Sequence, residues 1–270
     1  MQFMILRRAD ERSEAGRLPA AEADLLFAHL QPSANAVRLT LRNGEATITP
    51  GPFPDPADMI AGFAVIDVAS IGEAVAWLKR WPASDAQVEL EIRESGCPGG
   101  CAQVVGQEGA QEGAQERAAA QGKRFAILLR SSRALEDEEP VAQAMLDALD
   151  AHNAEQARAG VLLAADGLRT SARGVRVKVK KNAFAVIDGP FTEIKEMIAG
   201  FWMIRVPEMA DAIAWARRNP YPVGPDVEVE IRQLFDASID IDQFTPALQA
   251  AEQRIRDEQL EAGMRARFTA

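Results

Sequence analysis

Two periodicities alternate along the chain. Runs in which every second residue is apolar, such as Val175 to Lys180 (VRVKVK) and Val227 to Ile231 (VEVEI), have the repeat of strands with one buried face. Between such runs, apolar residues recur three and four apart. Val141, Met145 and Leu149 predict a helix over 140–159, with Pro140 in the first turn, where a missing N–H costs nothing. Met209 to Arg218 (MADAIAWARR) predicts a second helix, stopped by Asn219-Pro220. The matching helix earlier in the chain opens with Ser70 and Glu73, spaced so that each side chain can satisfy the other's backbone donor. VRVKVKKNAFAVI reads as two hairpin strands around a Lys-Lys-Asn turn, and the earlier counterpart has the stronger turn signal, Asn43-Gly44.

The elements occur twice. Ser33 to Pro82 aligns without a gap against Ser171 to Pro220, an offset of 138 at which nineteen of the fifty pairs are identical. The block contains TPGPFPDPADMIAGF in the first copy and IDGPFTEIKEMIAGF in the second. Outside it the register shifts, but FMILRR matches FAILLR and QVELEIRE matches DVEVEIRQ, so each copy begins and ends with a strand. The order strand, helix, strands, strand, helix, strand is the ferredoxin-like plan, an antiparallel sheet with helices on one face. Its other face needs a partner, which the second copy supplies. The chain therefore divides into a first repeat (1–93), a linker (94–122), a second repeat (123–235) and a helical extension (236–270). The linker's QEGA near-repeats lack large apolar residues after Val105, so burial cannot offset the entropy of ordering them.

Composition narrows the function classes. The 270 residues are 47% hydrophobic and 26% charged, as in proteins that bury a core. A net charge of −10 and a pI near 4.9 disfavour a nucleic-acid partner. No apolar run approaches the roughly 20 residues of a membrane span, and the N-terminus reads as a strand without a cleavage site, so a cytoplasmic protein is expected. Cys97 and Cys101, in GCPGGCA, do not complete a four-ligand zinc site, and the two histidines lie far off in sequence. Neither a metal nor a cofactor is expected.

DGPF at Asp188 to Phe191 is followed by an acidic-Lys spacer, a Gly-Phe-aromatic strand, a D-A-x-x-W helix and a V-E-V strand. Five elements in this order resemble the DGPF family of YCII-related proteins over about Arg124 to Phe235. The first copy is similar but degenerate, with Pro50 in place of Asp and without a match to GVLLAADGL. The resemblance implies an α+β fold in which two ferredoxin-like repeats form a single-chain dimeric α/β barrel-like pseudo-dimer, with further homo-oligomers left open. It also implies a His/Asp pair used in small-molecule chemistry.

On that implication the candidate catalytic residues are His152 and Asp188, with Gly189, Pro190, Phe191, Glu193 and Lys195 as candidate binding residues. His29 takes the place of His152 in the first copy at an offset of 123. The pair would fix the imidazole tautomer and raise its basicity. Equally, His152 reads as a helix histidine and Asp188 as a turn cap. Arg176, Lys178 and Lys180, with Arg169, Arg173 and Lys181, form a basic stripe, either a hairpin's solvent face or an anion site. Trp77 and Trp215 read as core. Gly160 to Leu168, missing from the first copy, would wall a pocket in the second. Two functions follow, a small-molecule enzyme or binder and a non-catalytic interaction or regulatory module.

Overall fold

The computed structural model describes residues 1–19, 22, 25–82, 87–96, 122–180, 183–224 and 226–235. Cys97, Cys101, nearly all of the linker and the extension 236–270 lie outside them. The first repeat contributes β1 (Gln2–Arg8), α1 (Glu11–Glu14), β2 (Ala28–His29), β3 (Val37–Arg42), β4 (Glu45–Pro50), β5 (Ile60–Asp67), α2 (Ile71–Trp77) and β6 (Val88–Glu94). The second contributes β7 (Lys123–Arg130), α3 (Arg133–Glu136), α4 (Gln143–Arg158), β8 (Leu162–Gly167), β9 (Val175–Lys180), β10 (Ala183–Asp188), β11 (Ile198–Val206), α5 (Met209–Arg218) and β12 (Val227–Gln233). No described helix is long and apolar enough to cross a membrane.

The strands form two six-stranded antiparallel sheets, ordered β10-β9-β6-β1-β5-β2 and β4-β3-β12-β7-β11-β8. Each sheet ends in two edge strands, so neither closes on itself, and the barrel expected from the family resemblance is not formed. At their margins the sheets are tied by the isolated bridges of Leu30 with Leu234 and Ser95 with Leu168 and the backbone hydrogen bonds around them. The inner order β6-β1-β5-β2 is that of a ferredoxin-like unit, and β12-β7-β11-β8 repeats it. What extends each unit is the other repeat's hairpin. β9 pairs with β6, and β3 pairs with β12.

Side-chain alternation explains the layering. In β1, Phe3 and Ile5 face the α2 layer with Leu78 and Trp81, while Met4 and Leu6 face the other sheet. Between the sheets Met4, Leu6 and Phe63 meet Leu128, Phe201 and Met203, and the Phe63 and Phe201 rings lie 4.8 Å apart. Each such side chain contributes about 1.5–3 kcal/mol by leaving water. The outer face of the second unit packs Phe125, Ile127 and Leu129 of β7 against Leu149 of α4 and Trp215 of α5. The sheets thus share one apolar layer and keep one each, the outer layers taking in Val175, Val177 and Val179, or Leu39, from the other repeat's hairpin.

Local expectations and structure agree closely in places. α5 spans the residues that periodicity assigned, and α4 begins at Gln143, three residues after Pro140. At α2, Ser70 accepts from Glu73 N–H, but the Glu73 carboxylate takes the Ala69 N–H rather than that of Ser70. Asn43 and Gly44 hold positive φ in a two-residue turn. The first repeat does not wholly lack the segment after its helix. It keeps the two-residue β2, which pairs with β5 as β8 pairs with β11. His29 therefore lies on a strand and His152 on α4, so the two do not correspond.

Candidate functional site

The repeated Gly-Pro-Phe run is a docking device for the exchanged hairpins. After β4 and β10 the chain turns back over Ser33 and Ser171, and a Cβ on Gly51 or Gly189 would lie 1.8 or 1.9 Å from the Ser33 or Ser171 carbonyl oxygen. Only glycine permits that approach. The next peptide bonds, to Pro52 and Pro190, are cis. Phe53 and Phe191 N–H then donate to the Ser33 and Ser171 hydroxyls at 3.3 and 3.2 Å. Ser33 and Ser171 N–H donate in turn to Glu14 and Glu136 at 2.9 and 2.8 Å. Phe53 ends beneath the Arg38 guanidinium, 4.0 Å from its centroid, and Phe191 beneath Arg176 at 4.3 Å.

These arginines cross the seam between hairpin and unit. Arg176 Nε meets Glu91 at 2.9 Å, and Arg93 meets the other Glu91 oxygen at 3.1 Å. Arg8 and Arg176 converge on Glu196 at 3.0 and 3.4 Å. The second cluster matches the first. Arg38 and Arg232 reach Glu230 at 3.1 and 2.9 Å, Arg130 also pairs with it, and Arg232 reaches Glu14 at 3.3 Å. Burial alone would push the Glu230 carboxyl up, but Arg130 and Arg232, with Arg38, hold it down at about 2. Burial raises Glu196 above its usual range despite Arg8 and Arg176, with Asp58 and Glu193 adding to the rise. Four residues of the basic stripe are thus paired within the fold, since besides Arg176, Lys178 meets Glu89 at 3.3 Å, Arg173 meets Glu94 at 3.1 Å and Arg169 meets Glu138 at 3.0 Å.

The sequence-derived site residues fall in separate places. Asp188 ends β10, exposed on the edge strand of the first sheet, and Glu193 is exposed in the following loop. Gly189, Pro190 and Phe191 build the turn just described, and the Lys195 side chain lies outside what is described. His152 sits on α4 over the second sheet, its ring 5.6 Å from Trp215 and its Nε2 buried without a hydrogen-bond partner. Burial pushes this imidazole down, Glu155 opposes and Arg218 adds to the fall. No hydrogen bond or ion pair joins His152 to Asp188 among the described residues. His29 stacks 4.4 Å from Phe235, and burial, followed by Arg7, lowers its pKa to about 4.

A small cavity of about 50 Å³ opens instead beneath α4 of the second repeat. Leu129, Leu149, Asn153, Ala165, Asp166 and Trp202 are among its lining residues, and Gly167 and Leu168 continue the wall. The Trp202 indole donates to Asn153 Oδ1 at 3.1 Å, which holds both rim groups in place. The segment expected to wall a pocket does so, but the hairpin expected beside it belongs to the other sheet.

The YCII-related domain matches this chain twice, over residues 1–94 and 124–235. The chain belongs to the YCII-related family. No curated protein matches it. Among solved structures, an anthrone oxidase-like protein is similar at 10% identity, over 87% of this chain and 90% of that one, with a TM-score of 0.32. A likeness that slight carries no argument about fold or chemistry.

In this YCII-related pair the residues the sequence reading passed over are Glu91, Arg93, Glu230 and Arg232. Their signal was present in both copies as E-x-R closing each last strand, opposite an arginine in the hairpin of the other copy. Alternation marks them as one face of a strand. It does not tell which neighbouring strand supplies the opposite charge.

Proposed function

We propose that this YCII-related protein, of the DGPF type, is a binder of a small, largely apolar molecule, and that its ligand site belongs to the second repeat alone. The supporting observation is the cavity under α4, whose largely apolar walls include the polar residues Asn153, held by the Trp202 indole, and Asp166, as ligand pockets do. Among its described residues the first repeat has a single-turn α1 and the two-residue β2 where the second has α3, the sixteen-residue α4 and the six-residue β8, so the described part offers no counterpart wall of that length. At about 50 Å³ the space admits a fragment-sized group. The reading calls on Asn153, which faces the sheet, rather than on a His152–Asp188 pair, and assigns no catalysis.

A fragment screen by thermal shift tests it. Apolar fragments should raise the melting temperature of the native chain and lose that effect in Ala199→Leu, which fills the rim. Asp188→Asn should leave every hit unchanged. Hits insensitive to Ala199→Leu, or none from the screen, would count against the binding reading and leave the interaction module ahead.

A further inference from the structure

The two exchanged hairpins finish differently at their outer edges. β4 and β10 are terminal strands, so among the described residues one side of each backbone has no neighbour in its sheet. The ladder determines which residues point that way. Gly189 N–H donates to Gly174 C=O, in line with the pairing of Asp188 with Val175, so bonded pairs recur at Ile187, Ala185 and Ala183. The N–H and C=O groups of Phe184, Val186 and Asp188 therefore face outward. In β4 the Gly51 to Ala36 bond sets the same alternation, and the outward residues are Ala46, Ile48 and Pro50.

Pro50 has no N–H to offer, and β4 also carries the charge of Glu45, proline and charge being features by which edge strands avoid pairing. β10 has none of them before Asp188. Its sequence is AFAVI, with Phe184, Val186 and Ile187 exposed by 40%, 48% and 47%. The proline that replaces aspartate in the first repeat thus blunts one edge, while the other keeps its donors and an apolar surface on both faces.

We infer that β10 is a self-pairing edge, through which two copies of this chain join antiparallel about a two-fold axis at Val186. In that register outward residues oppose outward residues, Val186 against Val186 and Phe184 against Asp188 of the second copy, with on the order of six backbone hydrogen bonds. The strand is complementary to itself in charge. Lys181 precedes the strand in sequence and Asp188 ends it, so antiparallel pairing brings unlike ends together and parallel pairing would oppose like ends. Two six-stranded sheets become one continuous sheet, and Phe184, Val186 and Ile187 gain cross-strand neighbours that cover part of their exposed surface.

Light scattering on the full chain across about 1–200 µM tests this, a range suited to a small interface. The mass should rise toward twice the 29.3 kDa of one chain. Val186→Pro removes an outward donor and no bond to β9, and Val186→Lys adds like charge at the axis. Both should hold the mass at one chain with an unchanged circular dichroism spectrum, and Ile48→Lys should leave association intact. If Val186→Pro fails to fold, Val186→Lys decides alone. A one-chain mass at the highest concentration, association that survives Val186→Lys, or equal loss in Ile48→Lys would overturn the inference.

Discussion

Replacing Glu230 with glutamine should be among the most damaging single-atom-scale changes in this chain. The carboxylate is fully buried and held by Arg130, Arg232 and Arg38, the last from the other repeat. Glutamine keeps the shape and one acceptor but removes the charge that compensates three guanidinium groups. Arg232 retains Glu14, but Arg38 loses its one charged partner among the described residues. Breaking a buried pair in this way costs about 3–5 kcal/mol, because the cations left behind remain desolvated. For a folded body of this size that corresponds to a fall in melting temperature of roughly 10 °C. Urea unfolding followed by tryptophan fluorescence measures it, with Glu228→Gln as the control. Glu228 is partly exposed and pairs across the strand with Thr40, so its replacement should cost under about 0.5 kcal/mol. Equal, small losses for both variants would mean that the cluster is solvated and that the seam is held by apolar packing alone.

Acidification should weaken the fold through His29. Its folded pKa is about 4 against 6.5 in the open chain, so between these values the unfolded chain binds the proton first and stability falls as pH falls. Between pH 6.5 and 5 the loss should reach about 1.6 kcal/mol, and His29→Gln should flatten that slope in a pH series of urea midpoints. Gly189→Ala should cost about 3 kcal/mol or more, because its Cβ would overlap backbone rather than a movable side chain, whereas Gly44→Ala, in open space at φ +81°, should cost about 1 kcal/mol. Comparable melting shifts for the two would refute the close-approach argument. Asn153→Leu should cost about 1–3 kcal/mol by leaving the buried Trp202 indole N–H without an acceptor, and an unchanged melting curve would show that water replaces the amide.

Periodicity is a local property, and what it could reveal was local. The longer strands, the hairpins and α5 were legible because each rests on residues within a dozen positions of one another, and the two-fold repetition was legible from the ungapped match at an offset of 138. The exchange of hairpins was not, since VRVKVK alternates identically whether Val175 and Val177 face their own repeat's sheet or its neighbour's. That single ambiguity also misdirected the site. Asp188 travels with β10 to the first sheet while His152 stays on α4 over the second, so the expected pair is separated by topology rather than by any change in either residue. The barrel came from family resemblance, and the open edges at β2, β4, β8 and β10 correct it. Pro50 was legible as a lost side chain. Its meaning as a lost outward donor required the ladder.

The crossed hairpins also impose a timetable on synthesis. β3 and β4 leave the ribosome early but have no sheet to join until β12 follows, with Arg38 and its partner Glu230 separated by 192 positions. Until then the first hairpin and the arginine it carries remain solvated, and the outer faces of β6 and of the nascent first unit stand open. Contacts this distant in sequence slow folding and lengthen exposure to aggregation. A chain interrupted anywhere before β12 would therefore leave an incomplete first half as well as an incomplete second, so release of the whole polypeptide, rather than of each repeat in turn, is the event that completes the fold.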